Sequence, residues 1–329
     1  WNPPPGIEVL SSSCTNTQVV LALTNGDVVY LELSNDTNTL VEHPSPKAFN
    51  SSIIDISFME IPVGRIAAPY LVVTCRDATI HVLSTDPKST LVTTFTTNLY
   101  AVASSVAVTS FKESSYATAL EDVDDLILKG TDTITTYVHV GLQNGVYVRY
   151  VLTQEGKLDG VKMKYIAPSP LKIATIQVTN KTGEYTTLAV INALTSYFVV
   201  PESNGNIKLV PLPIPEKFVE IDADGGDDDD DNDEDDNDDV ALAKSYGCIV
   251  PLHSADVPQG MILTHAEKLT IASVPVFNAV DSSKLNADCQ SVVLNKLRNL
   301  SNIESINLRY TPRAMCDDLE EKYKMSYIV

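Results

Sequence analysis

Five histidines, a dense run of carboxylates, five cysteines and a few basic residues are the side chains of this 329-residue chain whose types could do chemistry. General acid–base work needs an imidazole beside a nucleophile, oriented by a carboxylate, and a metal centre needs His or Cys at short fixed spacings. His43, His81, His139, His253 and His265 are scattered singly. His81 and His139 fall inside strand-like runs, where an imidazole is expected to pack with its nitrogens hydrogen-bonded rather than to act on a substrate. No G-x-S-x-G elbow, P-loop, H-E-x-x-H or G-x-G-x-x-G pattern occurs. Cys14, Cys75, Cys248, Cys289 and Cys316 are odd in number and form no CxxC pair. That disfavours a zinc knuckle or a disulfide framework and suits a reducing compartment. No catalytic residue, metal ligand or cofactor is expected.

The formal net charge is −20, but 13 of the acidic residues lie at Asp222, Asp224 and within 227–239; without them it is −7. A mildly acidic folded part argues against a non-specific nucleic-acid clamp, which works by displacing counterions from phosphates. The run DDDDDNDEDDNDD lacks the glycine and apolar residue of an EF-hand loop, so specific calcium binding is not expected. A self-repelling, solvated insertion at 222–239 is the simplest reading, with capture of a basic partner second. Lys157, Lys162 and Lys164, and Arg309 with Arg313, are weak basic groups without interleaved aromatics, so direct RNA contact is expected to be absent or minor. Sequons at Asn35, Asn50, Asn180 and Asn299 are read as chance in a chain rich in Asn, Ser and Thr. No apolar run approaches the roughly 20 residues of a membrane-spanning helix. The first residue is Trp1, which reads as the start of a piece of something longer.

The elements that would position these groups are hairpins. VHVGLQNGVYVRYVL (138–152) has two apolar runs around Asn144-Gly145, and both faces of the implied hairpin are apolar. A two-residue turn with positive φ at both positions would set Gln143 opposite Val146, Leu142 opposite Tyr147 and Val140 opposite Arg149. VVLALTNGDVVYLEL (19–33) repeats the plan around Asn25-Gly26, with Ala22 where the later hairpin has Gly141. Further copies lie at 71–84, 187–200 and 260–274. Most are flanked by strand-like runs, so each unit is about four short antiparallel strands. Repetition at roughly 50–70 residues indicates an all-β protein built of β-propeller blades. Sandwiching between neighbours explains a hairpin buried on both faces, and a small residue such as Gly141 lets the next sheet approach. A β-sandwich, burying one face per sheet, is the alternative. Five blades are visible, and one or two are expected to be missing at the N-terminal end of a seven-bladed ring. Residues 112–134, 216–246 and 276–304 read as long insertions, and 291–300 as a short amphipathic helix.

The residues VVLALTNGDVVYLEL, HVGLQNGVYVRYVL and INLRYTPRAM (306–315) resemble the middle region of the large propeller subunit of splicing factor 3b. That family is shared with the large subunits of the damaged-DNA-binding complex and of cleavage and polyadenylation specificity factor, each with three propellers in one chain. The resemblance implies that 1–312 is the middle propeller, with 313–329 leading to the next. Asn25, Gly26, Gly141, Asn144 and Gly145 would be structural motif residues, and Arg309, Tyr310, Thr311, Pro312 and Arg313 an inter-propeller connection. Ala314 departs from the family, which usually has a basic residue there. The resemblance further implies a nuclear, non-enzymatic scaffold of the U2 small nuclear ribonucleoprotein acting at the branch site. Its partners would be a HEAT-repeat subunit and small splicing factor 3b subunits, within a hetero-oligomeric complex. A ubiquitin-ligase adaptor and a role in mRNA 3′-end cleavage are the alternatives carried by the other relatives.

Overall fold

A computed structural model describes residues 1–34, 36–113, 133–179, 185–201, 207–212, 247–252, 260–265, 268–273, 301–308, 315–316 and 327–328. All regular structure among them is β-strand. The first sheet contains β1 (Val9–Cys14), β2 (Gln18–Leu23), β3 (Asp27–Ser34) and β4 (Thr39–Glu42), and β5 (Lys47–Ala48) also pairs with β3. The second contains β6 (Ile53–Phe58), β7 (Tyr70–Cys75), β8 (Thr79–Ser84) and β9 (Thr93–Asn98). The third contains β10 (Ala103–Glu113), β11 (Thr133–Leu142), β12 (Val146–Leu152) and β13 (Leu158–Tyr165). The fourth is β14 (Lys172–Thr179), β15 (Tyr185–Asn192), β16 (Tyr197–Pro201) and β17 (Ile207–Pro211). The fifth is β18 (Ile249–Leu252), β19 (Gly260–His265), β20 (Lys268–Ser273) and β21 (Ser301–Asn307). A two-stranded ladder, β22 (Met315–Cys316) with β23 (Tyr327–Ile328), follows. The five sheets run in sequence order, which is the blade pattern of a β-propeller.

The chain forms two compact units that divide after Ile173. In the first, Val20, Ala22, Val28 and Tyr30 pack against Ile53, Ile56, Leu71 and Val73, which joins the first two sheets. Val72, Ile80 and Val82, from the other face of the second sheet, pack against Val106, Val138, Val140 and Val148 of the third. Alternate residues of β7 therefore enter different cores, and both faces of the strand are buried. In the second unit Val190, Phe198 and Val210 share a core with Ile249, Met261 and Leu263.

Three hairpin turns share one geometry. Gly26, Ala78 and Gly145 donate their N–H to the carbonyls of Leu23, Cys75 and Leu142, and each has positive φ (87°, 60° and 78°). Asn25 and Asn144 do not have positive φ, which corrects the two-residue turn expected from the sequence. The loop holds three residues: a turn closed by a left-handed residue, at which the strand bulges. Asn25, Asp77 and Asn144 instead accept the N–H two residues on through their side-chain oxygens.

The correction moves the register by one. Gly141 lies opposite Tyr147, Val140 opposite Val148 and His139 opposite Arg149. The third sheet thus has one predominantly apolar face, packed on the second sheet through Val106, Val138, Val140 and Val148 and carrying Ser110 and Thr136 toward one end, and one face carrying Tyr137, His139, Tyr147 and Arg149. Two insertions are also shorter than expected: β10 extends to Glu113 and β11 starts at Thr133, while β21 starts at Ser301. The acidic run 222–239, the 291–300 segment and Arg309–Arg313 lie outside the described residues.

Candidate functional site

The first strand of each sheet in the first unit is bulged at one equivalent place. Ladder pairing skips a residue between Val9 and Ser11, between Ile53 and Asp55, and between Ala103 and Ser105. Ser11, Asp55 and Ser105 face Ala22, Thr74 and Gly141 respectively, so they are repeat equivalents. The bulge aims these side chains across to the neighbouring sheet. Asp55 Oδ1 accepts the Ser11 hydroxyl (2.6 Å) and the Ile56 N–H (2.9 Å), and Oδ2 accepts the Val106 N–H (2.8 Å). One carboxylate thereby links β1, β6 and β10. At the next junction Ser105 Oγ accepts the N–H of Ile173 (3.0 Å) and donates to the carbonyl of Leu171 (2.9 Å).

Burial pushes the Asp55 carboxyl above its ordinary range, opposed by these three donors. Asp55→Ala is expected to cost about 2–4 kcal/mol, because it leaves two backbone N–H groups at a partly buried junction without their acceptor. Urea denaturation checks this. Asp55→Asn should fall between the two, since an amide offers only one acceptor oxygen. An Asp55→Ala protein as stable as the parent would show that the three strands are held by apolar packing alone.

Among the described residues the polar face of the third sheet gathers a dense group of titratable side chains. His139 Nε2 lies 2.8 Å from Thr109 Oγ1, and Nδ1 lies 2.6 Å from the Tyr147 hydroxyl. The Arg149 guanidinium stacks over Tyr137 at 4.3 Å from the ring centroid. All five side chains are essentially buried. Burial, reinforced by the Arg149 charge, pushes His139 down to about 3, and burial pushes the Tyr147 phenol far up. A base that weak, with both nitrogens engaged and no solvent access, is fixed packing rather than an open acid–base pair. Among the described residues no three His, Cys, Asp or Glu side chains are placed to hold a metal ion. Among the described residues Cys14 and Cys75 are free thiols, Cys75 buried and Cys14 exposed.

Of the residues singled out in the sequence, Gly26, Gly141 and Gly145 sit at close crossings. A Cβ at Gly26 would lie 2.8 Å from the Phe49 carbonyl oxygen, one at Gly141 2.4 Å from that of Leu171, and one at Gly145 1.4 Å from that of Ala167. Asn25 and Asn144 occupy the turn tips. The structure does not gather these residues into one pocket; they recur at successive sheet junctions. Sequence reading missed Asp55, whose signal was a lone carboxylate inside the apolar run IIDISF, and missed that Arg149 is buried.

The outer strands β4 and β13, with Leu40, Val41, Val161 and Met163 exposed, and loops at the strand ends supply accessible apolar surface. The β6–β7 loop displays Val63 (92% exposed) and Ile66 (76%), two large aliphatics with no core to enter. Residues 1–223 match the family model described as the RSE1/DDB1/CPSF1 second beta-propeller. The chain is 31% identical over 183 residues to pre-mRNA-splicing factor RSE1 of Pyricularia oryzae, covering 55% of this chain and 14% of that protein. It is 27% identical over 215 residues to pre-mRNA-splicing factor prp12 of Schizosaccharomyces pombe, covering 64% and 16%. It is 28% identical over 179 residues to splicing factor 3B subunit 3 of Danio rerio, covering 54% and 14%. The matched region is thus about one-seventh of those relatives' length. With four-stranded sheets in sequence order and a family match over residues 1–223, the chain belongs to the RSE1/DDB1/CPSF1 second β-propeller family.

Proposed function

We propose that this chain is a non-enzymatic protein–protein interaction scaffold of the splicing factor 3b complex, acting in pre-mRNA splicing at the branch site. The similarity to proteins named as pre-mRNA-splicing factors and as splicing factor 3B subunit 3 carries this reading. The physical design supports it. The titratable clusters are locked in packing, whereas loops at the strand ends present aliphatic side chains to solvent. Residues 1–312 act as the middle propeller of a longer nuclear protein, and 313–329 lead toward the next. Its partners are the HEAT-repeat and small subunits of splicing factor 3b and other U2 particle proteins, with RNA contacts minor or absent.

Affinity purification of the tagged full-length protein from nuclear extract, followed by mass spectrometry, tests the assignment. Splicing factor 3b subunits and U2 particle proteins are expected as the dominant partners. Recovery of a cullin, or of 3′-end cleavage factors, in their place would overturn it in favour of one of the other two relatives that the family description names.

A further inference from the structure

A groove of about 270 Å³ opens between the first and second sheets, lined by residues that include Lys47, Phe49, Asn50, Ser51, Asp77 and His81. The proton positions in its wall follow from the hydrogen bonds. Asp77 Oδ1 accepts both the N–H and the hydroxyl of Thr79. The Thr79 hydroxyl proton being committed there, its oxygen accepts from His81 Nε2, 2.9 Å away. His81 Nδ1 then accepts from Thr96 Oγ1, also at 2.9 Å. The result is a neutral imidazole, its tautomer assigned from this chain, and an aspartate whose charge already meets two donors.

The donors left over point the other way. Lys47 forms no ion pair among the described residues, and it is near enough to His81 to oppose protonation of the ring. Ser51 Oγ accepts the Asp77 N–H, so its own proton is available. Asn50 adds an exposed amide, and the Phe49 ring, 4.9 Å from that of His81, forms an apolar wall. The unmatched chemistry is therefore one cation and neutral donors beside a flat apolar surface.

We propose that this groove is a docking site for a single carboxylate side chain of a partner protein, its charge met by Lys47 and its oxygens by Ser51 and Asn50. The volume lies below the roughly 300–1,000 Å³ of sites for drug-sized ligands, which suits one side chain. Among the described strands β5, which supplies Lys47, pairs only with β3, so its other edge can take the partner's backbone. A nucleic-acid phosphate fits less well, because a polyanion is held by several cations, whereas Lys47 is the one Lys or Arg among the lining residues and Asp77 stands at the rim. The inference goes beyond the splicing assignment and does not depend on it.

The test is an NMR titration of the full chain carrying ¹³C-labelled histidine, with the His81 signal assigned through His81→Phe. The probe is the α-amide of N-acetyl-glutamate, matched by the glutamine analogue at constant ionic strength and by inorganic phosphate. A saturable shift of His81 is expected with the glutamate probe alone. Lys47→Gln should weaken it about fivefold, the upper end of what a partly exposed ion pair supplies. Lys157→Gln, which does not line the groove, should leave it unchanged. An equal shift with the glutamine analogue, an unaltered affinity in Lys47→Gln, or no saturation in the millimolar range would overturn the site. Tighter binding of phosphate than of the carboxylate would reject a protein side chain as its ligand.

Discussion

Acidification from pH 7 to pH 4 is expected to cost the fold roughly 3 kcal/mol through His139 alone. Burial holds this imidazole at about 3 in the folded chain, against an ordinary value of 6.5. Between those values the unfolded chain binds a proton that the folded chain refuses. Stability is complete above pH 6.5 and declines as the pH falls through the window, at up to about 1.4 kcal/mol per pH unit. His81 adds a contribution of the same sign, its imidazole also lowered by burial. Asp55 acts oppositely: its raised carboxyl takes up a proton more readily in the folded state, which favours folding as the pH falls. Comparison with His139→Phe isolates the histidine. The variant should be less stable at pH 7.5 by about 2 kcal/mol, since Thr109 and Tyr147 lose a buried partner. Its urea midpoint should nevertheless decline less steeply with acid than that of the parent. Identical pH slopes in the two proteins would show that the ring protonates inside the fold, contrary to its sealed position.

The repeat was legible because two-sided burial leaves a strong trace. A hairpin such as 138–152 alternates too little for a one-sided sheet, and its copies at 19–33, 71–84, 187–200 and 260–274 all correspond to adjacent paired strands. The register was not legible. Asn-Gly serves a two-residue turn as well as a three-residue one, and only the fold decides whether Asn144 or Gly145 alone adopts positive φ. That single residue decides whether Arg149 sits with Val140 or with His139. The Asp55 junction was invisible for a different reason: its partners Ser11 and Val106 lie 44 and 51 residues away. No local pattern marks which carboxylate will face a bulge in the preceding sheet. The Lys47 groove likewise joins two sheets, so its walls come from separate copies of the repeat.

Gly145→Ala is expected to destabilise the first unit by about 3–5 kcal/mol, the largest effect of any single methyl group here. The added carbon would lie 1.4 Å from the carbonyl oxygen of Ala167 and 2.6 Å from its carbon. Both are backbone atoms, and they cannot swing aside as a side-chain tip would. Their segment is pinned, since Ile166 donates its N–H to the Gly145 carbonyl (2.9 Å) and Leu171 donates to that of Leu142 (3.3 Å). The same crossing recurs where Phe49 donates to Gly26 and Leu99 to Ala78, so the chain leaving each of these sheets is anchored on the left-handed residue of that sheet's hairpin. Ala78 shows that a methyl group can be tolerated at such a turn. The decisive quantity at Gly145 is therefore the distance to the crossing backbone as much as the sign of φ. Gly64→Ala separates the two contributions: Gly64 has φ of +85° and nothing within 4 Å of where its new methyl group would stand, so only the conformational cost of about 1 kcal/mol should appear. Thermal unfolding should put Gly145→Ala several degrees below Gly64→Ala, at roughly 2–4 °C per kcal/mol. Equal melting temperatures would mean that segment 166–171 can lift off the hairpin without penalty, and that the crossing does not fix how one sheet follows the last.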